Sequence, residues 1–279
     1  MRIIDLHCYP NTQKWIDCQG PYVEALAEYW GRDWQAKTEE EVVAEFKEFH
    51  VDALLVALDL STTIQTPPCD NDYVAGMRDR HDCIIQAWGA LEPTRGRAAI
   101  DEARHAINEL NMIGFHFHPI MQHIQVNDQG FYPLWEEISS MGVPVMIDVG
   151  MTGMGAGMPG GLGVKTRNAH PAYVDELAAD FPKLTIIMAH PGSPWIDETT
   201  AVALHKGNVF WEMSGWAPKY LPDSLKKDIR SRLSDKVMFG SDYPSIAYER
   251  LFREWDEVGY TNAMLEKFFH RNAETVLGL

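Results

Sequence analysis

Histidine and aspartate side chains stand at the ends of several short apolar runs in this sequence. His7 closes the run IIDLH, Asp148 closes VPVMID, His190 closes TIIMAH and Asp242 closes VMFGSD. Neutral imidazole and carboxylate are protein ligands of zinc, manganese and iron(II), and both groups also carry protons in acid–base catalysis. If the fold brings these run ends together, we expect metal-assisted or acid–base chemistry.

The apolar runs themselves predict the fold. They recur eight times along the 279 residues and alternate with longer stretches of helical spacing such as TEEEVVAEFKEFH. Such alternation is typical of a parallel sheet covered by helices. It favours an α/β fold, a single-domain (β/α)8 TIM-type barrel over residues 1–279, with an open doubly wound sheet as the alternative. The predicted strands are Ile3 to Leu6, Ala53 to Leu58, Cys83 to Leu91, Ile113 to Phe117, Val143 to Ile147, Leu184 to Ala189, Val209 to Met213 and Val237 to Phe239.

A barrel would gather the polar run ends at its carboxyl edge, where active sites of this fold lie. Alternation along the first strand puts His7 and Tyr9 on one side, and GFHFHP puts His116 and His118 on one side of the fourth. We expect His118 to contact the substrate and a phenol at position 9 to donate hydrogen bonds. Each of these side chains taken alone is also compatible with a structural role.

Two long stretches are predicted to be irregular and to lie at the same edge. They are residues 10–34 after the first strand and the glycine-rich residues 150–165 after the fifth. The second lacks the Walker and Rossmann glycine spacings, so we expect a mobile lid over the site. Lys165 and Arg167, which close this loop, are the predicted partners of a substrate carboxylate.

Charge and composition limit the classes of partner. The formal net charge is −16, from 40 acidic and 24 basic residues, which disfavours a nucleic-acid partner. An anionic substrate would need local cations, because the overall field repels it. No apolar run reaches the roughly 20 residues of a membrane span, and no signal-peptide pattern begins the chain, so we expect a cytoplasmic protein. The sequence does not determine the oligomeric state, and a homo-oligomer is possible.

The motifs, taken in order, resemble a known family. There are five such motifs: an opening Asp-x-His-x-x-Pro, then GFHFHP, AHPGSPW, GSDYP and a terminal RNAETVLGL. In these motifs the chain resembles the amidohydrolase-related family that includes aminocarboxymuconate-semialdehyde decarboxylase. The resemblance covers essentially the whole chain. It implies a (β/α)8 barrel with one divalent metal ion, zinc or manganese, and nonoxidative decarboxylation, hydration or hydrolysis of small carboxylated or ring-derived compounds.

The resemblance also implies roles for individual residues. His7 matches the first histidine of the family's strand-one pair, whose second position is Tyr9 here. His190 matches a histidine that acts beside the metal, and Asp242 matches a ligand or proton acceptor. Asp148 stands where the family usually has a histidine ligand. Two metal positions therefore depart from the family pattern.

These departures leave three alternatives open. In the first, His7, Asp148 and Asp242 hold a divalent ion, with His190 or a strand-four histidine completing the shell, and His190 and Asp242 act on a small carboxylated, unsaturated or aromatic substrate. Decarboxylation is then the first expectation and hydrolysis the second. In the second alternative, the same groups hydrolyse a lactone or amide without a metal. In the third, the barrel is a catalytically silent binding protein.

Overall fold

The computed structural model describes residues 1–31 and 33–279. It contains an eight-stranded parallel sheet whose strands pair in chain order. Backbone bonds from Leu6 N to Phe239 O (3.2 Å) and from Tyr9 N to Tyr243 O (3.0 Å) join the first strand to the last segment and close the barrel. The predicted TIM-type barrel is confirmed. The strands are β1 (Ile3–Cys8), β2 (Val51–Val56), β3 (Ile84–Ala90), β4 (Gly114–Phe117), β5 (Val145–Asp148), β6 (Ile186–Ala189), β7 (Val209–Glu212) and β8 (Val237–Met238).

Helices on the outer face separate the strands. The predicted helical stretches form α3, α5, α7 and α10. The α-helices are α1 (Gln13–Gln19), α2 (Pro21–Trp30), α3 (Glu39–Glu48), α4 (Asn71–Arg80), α5 (Arg97–Asn108), α6 (Tyr132–Met141), α7 (Pro171–Asp180), α8 (Ile196–His205), α9 (Asp223–Ile229), α10 (Tyr248–Glu257), α11 (Asn262–Glu266) and α12 (Asn272–Leu277), and a π-helical turn, Lys267–Arg271, joins the last two.

The prediction of an irregular stretch over residues 10–34 was wrong. Apart from residue 32, which lies outside the described residues, this stretch contains α1 and α2. Pro21 occupies the first turn of α2, where its fixed φ and missing N–H cost nothing. Tyr22 and Leu26 then bury one face of the helix. Two helices therefore follow β1 and form one side of the barrel mouth.

Helix α3 shows how local sequence sets an element. Thr38 Oγ1 accepts a hydrogen bond from Glu41 N (3.2 Å), and Glu41 Oε2 accepts one from Thr38 N (2.8 Å), which is a complete capping box. The predicted apolar stripe of Val42, Val43 and Phe46 is buried. The helix is thus anchored at its first turn and packed through one face.

Asp5 links the first strand to the segment that follows the last strand. This fully buried carboxylate accepts hydrogen bonds from His7 N (3.1 Å), Ser241 N (2.9 Å) and the Tyr248 hydroxyl (2.8 Å). Burial raises its pKa, and the three donors oppose that shift. Asp5 therefore holds β1 against the segment that carries Asp242. Among the described residues, every helix is too short or too polar to cross a lipid bilayer.

Candidate active site

His7, at the end of β1, is fully buried at the centre of the site. Its Nδ1 atom lies 3.0 Å from Glu212 Oε1, and its Nε2 atom lies 3.2 Å from the Tyr9 hydroxyl and 3.8 Å from Asp242 Oδ1. Burial lowers the pKa of His7, but the hydrogen bond to Glu212 and the nearby carboxylates produce a net rise. Glu212 thus orients the ring, and Nε2 is directed toward Tyr9 and Asp242.

Asp148, the last residue of β5, faces histidines from β4 and from the end of β6. His116 Nε2 lies 2.8 Å from Asp148 Oδ1, and His118 Nε2 and His190 Nε2 lie 3.3 Å and 3.6 Å from Oδ2. Burial raises the pKa of Asp148, but the effect of these imidazoles is larger than that of burial and holds the pKa well below the usual range. Asp148 is therefore ionised.

The histidines around Asp148 differ in protonation. Burial lowers the pKa of His118 to about 4, and its Nδ1 accepts a hydrogen bond from Met121 N (3.2 Å), so its Nε2 carries the proton. Burial also lowers the pKa of His190, but Asp148 and two further carboxylates raise it to about 10. His190 therefore carries the positive charge that balances Asp148.

Backbone geometry holds His190 in place. Its φ of 69° is left-handed, and its Nδ1 lies 2.8 Å from Ser214 Oγ and 3.2 Å from Ser214 O. Gly215 follows with a φ of 72°, and a Cβ there would stand 2.8 Å from His190 Nδ1. Only glycine fits this position without displacing the ring.

Asp242 follows β8 in a left-handed conformation, with a φ of 59°. Its backbone N donates to His7 O (2.9 Å), which ties it to β1. Burial raises the pKa of Asp242, and the opposing effect of His190 and His7 does not cancel that rise. Asp148 and Asp242 therefore differ: the first is held ionised, and the second is disposed to take up a proton.

Sequence reasoning missed Glu212, the fully buried last residue of β7. Its Oε1 accepts from Ser214 Oγ (2.7 Å) and its Oε2 from Ser214 N (2.7 Å), besides the contact with His7. A Cβ on Gly240 would lie 2.2 Å from Oε2, so the neighbouring strand leaves room for this carboxylate. The available signal was an acid that ends the apolar run VFWE, the same pattern that identified Asp148.

The donor atoms are close enough to surround one cation. Two groups have ligand atoms all within 4.8 Å of one another: His7, His116 and Asp148, and His7, His190 and Glu212. The first group suits a divalent ion better, because His7 Nε2 also faces Asp242 while Glu212 orients the ring through Nδ1. Imidazole nitrogens with carboxylate oxygens are a normal donor set for zinc or manganese.

A family model described as "Amidohydrolase" matches residues 4–279 of this chain. The chain belongs to the amidohydrolase family. A search of the curated proteins found no match.

Solved structures share the fold of this amidohydrolase at low sequence identity. An uncharacterised TIM-barrel protein from Bordetella bronchiseptica is 20% identical, with a TM-score of 0.78. The superposition covers 100% of this chain and 99% of the Bordetella chain. 5-Carboxyvanillate decarboxylase from Sphingomonas paucimobilis is 15% identical with a TM-score of 0.72, covering 100% and 99%. Dihydroxybenzoic acid decarboxylase from Polaromonas sp., solved with bound manganese and 2-nitroresorcinol, is 16% identical with a TM-score of 0.72, covering 100% and 97%.

A cavity of about 540 Å³ opens above the amidohydrolase site. His190, Gly215 and Asp242 form its polar floor. Part of the glycine-rich loop forms one wall, which agrees with a lid, although the mobility of that loop stays a prediction. The rim carries large apolar side chains that are exposed to solvent: Tyr29 (55%), Trp30 (43%), Met151 (44%) and Tyr220 (62%).

Two predicted substrate-binding residues, Tyr9 and His118, are not among the described residues that line this cavity. Tyr9 is buried, and burial together with nearby carboxylates raises its pKa well above the ordinary value, so its hydroxyl keeps its proton. Such a phenol is a hydrogen-bond donor rather than a metal ligand. His118 has both ring nitrogens occupied, by Met121 N and Asp148, and this geometry offers no nitrogen to a substrate.

The structure does not bring Lys165 and Arg167 to the cavity of His190 and Asp242. Both line a second cavity of about 430 Å³, together with His123 and Asp128. The path of the loop after the fifth strand turns these cations toward the segment that follows β4. Their predicted contact with a substrate carboxylate therefore has no support from the placement of the described residues.

Proposed function

We propose that this amidohydrolase binds one divalent metal ion and catalyses nonoxidative decarboxylation of a small carboxylated aromatic or unsaturated compound. The observation that carries the proposal is the pair of unlike aspartates at one barrel mouth. Asp148 is held ionised beside the cation His190, and Asp242 has a raised pKa on the floor of the cavity. The solved decarboxylases of the same fold support the reaction class by analogy.

The metal proposal rests on the donor atoms. His7 Nε2, His116, Asp148 and Asp242 are the residues that would hold the ion, which we expect to be zinc or manganese. The manganese of the Polaromonas enzyme supports this assignment. When bound, a divalent ion supplies positive charge that orients a substrate oxygen and stabilises developing negative charge.

The chain's own residues then account for the proton. Loss of CO2 from a carboxylate leaves an electron pair on carbon, which must be protonated to give the product. Asp242 delivers that proton from Oδ2, while Oδ1, the oxygen near His7 Nε2, is the one that would face the ion. Cationic His190 stabilises the negative charge of the substrate carboxylate before CO2 leaves. The Tyr9 hydroxyl keeps its proton and is the donor that we expect to meet a substrate oxygen on the side of β1.

A second candidate function is metal-independent hydrolysis of a lactone or amide. The observation that favours it is that both oxygens of Asp148 are already engaged by histidines. Asp242 would then act as a general base toward water, and His190 would polarise the carbonyl. Either reaction uses a small carboxylated or ring-derived substrate, and we expect it to occur in the cytoplasm.

One experiment separates these candidates. The protein, purified without chelator, is analysed for bound metals and incubated with 2,6-dihydroxybenzoate, 5-carboxyvanillate and related acids, with and without manganese or zinc. We expect stoichiometric metal and release of CO2 equal to product. Lactone hydrolysis that survives chelator would establish the second candidate. Absence of both metal and turnover would support a silent binding barrel.

A further inference from the structure

The active-site cavity has a permanent cation of its own. With a net charge of −16, this chain repels anions unless positive charge is placed locally. Of the described residues that line the cavity of His190 and Asp242, Arg250 is the one arginine or lysine. It lies in the first turn of α10, after the strand that carries Asp242. Arg250 is therefore placed where Lys165 and Arg167 were expected.

Arg250 is anchored through one edge of its guanidinium group. Its Nε donates to Glu254 Oε1 (2.8 Å), and Glu254 Oε2 in turn accepts from Lys219 N (3.1 Å). The Glu254 side chain is only 7% exposed, so this anchor is shielded from water. The ion pair through Nε fixes the direction of the guanidinium group.

The Arg250 side chain is 37% exposed, so part of its guanidinium group is open to the cavity. Its Nη2 atom is buried and has no hydrogen-bond partner among residues 1–31 and 33–279. A ligand carboxylate therefore meets the exposed part of the group, and a guanidinium binds carboxylates through charge-assisted hydrogen bonds.

Tyr220 adds an aromatic surface beside this cation. The Arg250 Cζ atom lies 5.9 Å from the Tyr220 ring centroid, and Lys219 Nζ lies 4.8 Å from the same centroid. Tyr220 lines the cavity rim with Trp30 and Met151, and all of them are exposed. Several large exposed apolar side chains around one polar cavity are typical of a ligand-binding rim.

We propose that Arg250 binds an anionic group of the substrate that does not react, while the rim of Trp30, Met151 and Tyr220 holds the apolar body of the molecule. This assignment rests on the proposed function of the cavity floor. The substrate class is then narrowed to apolar or aromatic acids with a second anionic group, and Arg250 is the residue that selects them.

The test compares two probe ligands, benzoate and isophthalate, which differ by one carboxylate. Their dissociation constants are measured by calorimetry on wild type, Arg250→Met, Arg250→Lys and Arg253→Ala. Arg253 is an exposed arginine on the same helix and is the matched control. We expect isophthalate to bind wild type and Arg253→Ala at least about 10-fold more tightly than benzoate, because hydrogen bonds to charged groups are strong.

In Arg250→Met the two ligands should bind equally, with benzoate affinity unchanged. Arg250→Lys should keep part of the preference, because it retains charge without the planar fork. The proposal is overturned if wild type binds both acids alike, or if Arg250→Met weakens both equally. If the methionine variant does not fold, an undiminished preference in Arg250→Lys overturns it. Binding is read without turnover, so a protein that binds isophthalate through Arg250 but releases no CO2 contradicts only the proposed reaction.

Discussion

Asp148 ends β5 and is buried, whereas Asp242 follows β8 and keeps 20% of its side chain exposed in the cavity. Their surroundings push their pKa values in opposite directions. Asp148 is bonded or close to His116, His118 and His190, whereas Asp242 is 3.8 Å from His7 Nε2. Charge pairing therefore outweighs burial at Asp148, and burial outweighs charge pairing at Asp242. A pair of acids with separated pKa values is a frequent arrangement in catalytic sites.

The largest expected effect is loss of turnover when Asp242 is changed. In Asp242→Asn the amide cannot carry the proton, so kcat should fall by about 10²- to 10⁴-fold. The variant should fold, since its backbone bond to His7 remains. Steady-state kinetics with Asp256→Asn, an exposed acid on α10, as control provides the measurement. A fall below tenfold would mean that Asp242 is not the proton carrier.

Changing Asp148 should reduce stability more than any other substitution discussed here. Removing one partner of a buried ion pair typically costs about 3–5 kcal/mol. Asp148→Asn leaves His190 without its main counter-charge, so we expect a loss toward the lower end of that range. Denaturant unfolding at pH 7 measures it, and Asp242→Asn should show a much smaller loss. Equal losses in both variants would contradict the difference between the two aspartates.

The ion pair of Asp148 and His190 predicts how the stability of protein stripped of divalent ions depends on pH. The pKa of His190 is raised to about 10 in the folded state, so its contribution is complete below its unfolded value near 6.5. That contribution is lost as pH rises from 6.5 through 10. The difference in unfolding free energy between wild type and Asp148→Asn should shrink across this window. A difference that stays constant from pH 6 to pH 10 would show that His190 is not charged by Asp148.

A smaller effect is expected at Glu212, which contacts His7 from behind. Glu212→Gln keeps the size of the side chain but removes the charge that orients His7 through Nδ1. Loss of such a partner typically weakens metal affinity about 10- to 100-fold. Competition with a fluorescent zinc chelator measures it. An unchanged affinity would indicate that His7 does not bind the ion.

The smallest change in kinetics is expected for a substitution in the second cavity. Arg167→Ala should change KM by less than about twofold, because Arg167 does not line the cavity of Asp242. Arg250→Met is the comparison, and it should raise KM for an acid with two carboxylates. A larger KM change in Arg167→Ala than in Arg250→Met would restore the expectation drawn from the sequence.

Local sequence predicted much of the scaffold. Runs such as Ile186–Ala189 are continuously apolar because parallel barrel strands are covered on both faces, and this property is visible in the sequence alone. The two helices after β1 were not predicted, although Pro21 marks the start of α2. Glu212 was missed although it ends an apolar run as Asp148 does.

By itself, the sequence determined the barrel and the edge where His7, Asp148, His190 and Asp242 would lie, because strand polarity and side-chain alternation are local properties. Tertiary structure alone decided which acid stays ionised, since a pKa depends on neighbours that come from other strands. It also decided that Arg250, and not Arg167, lines the cavity of Asp242. The direction of a loop depends on packing against distant segments, so spacing along the chain does not encode it.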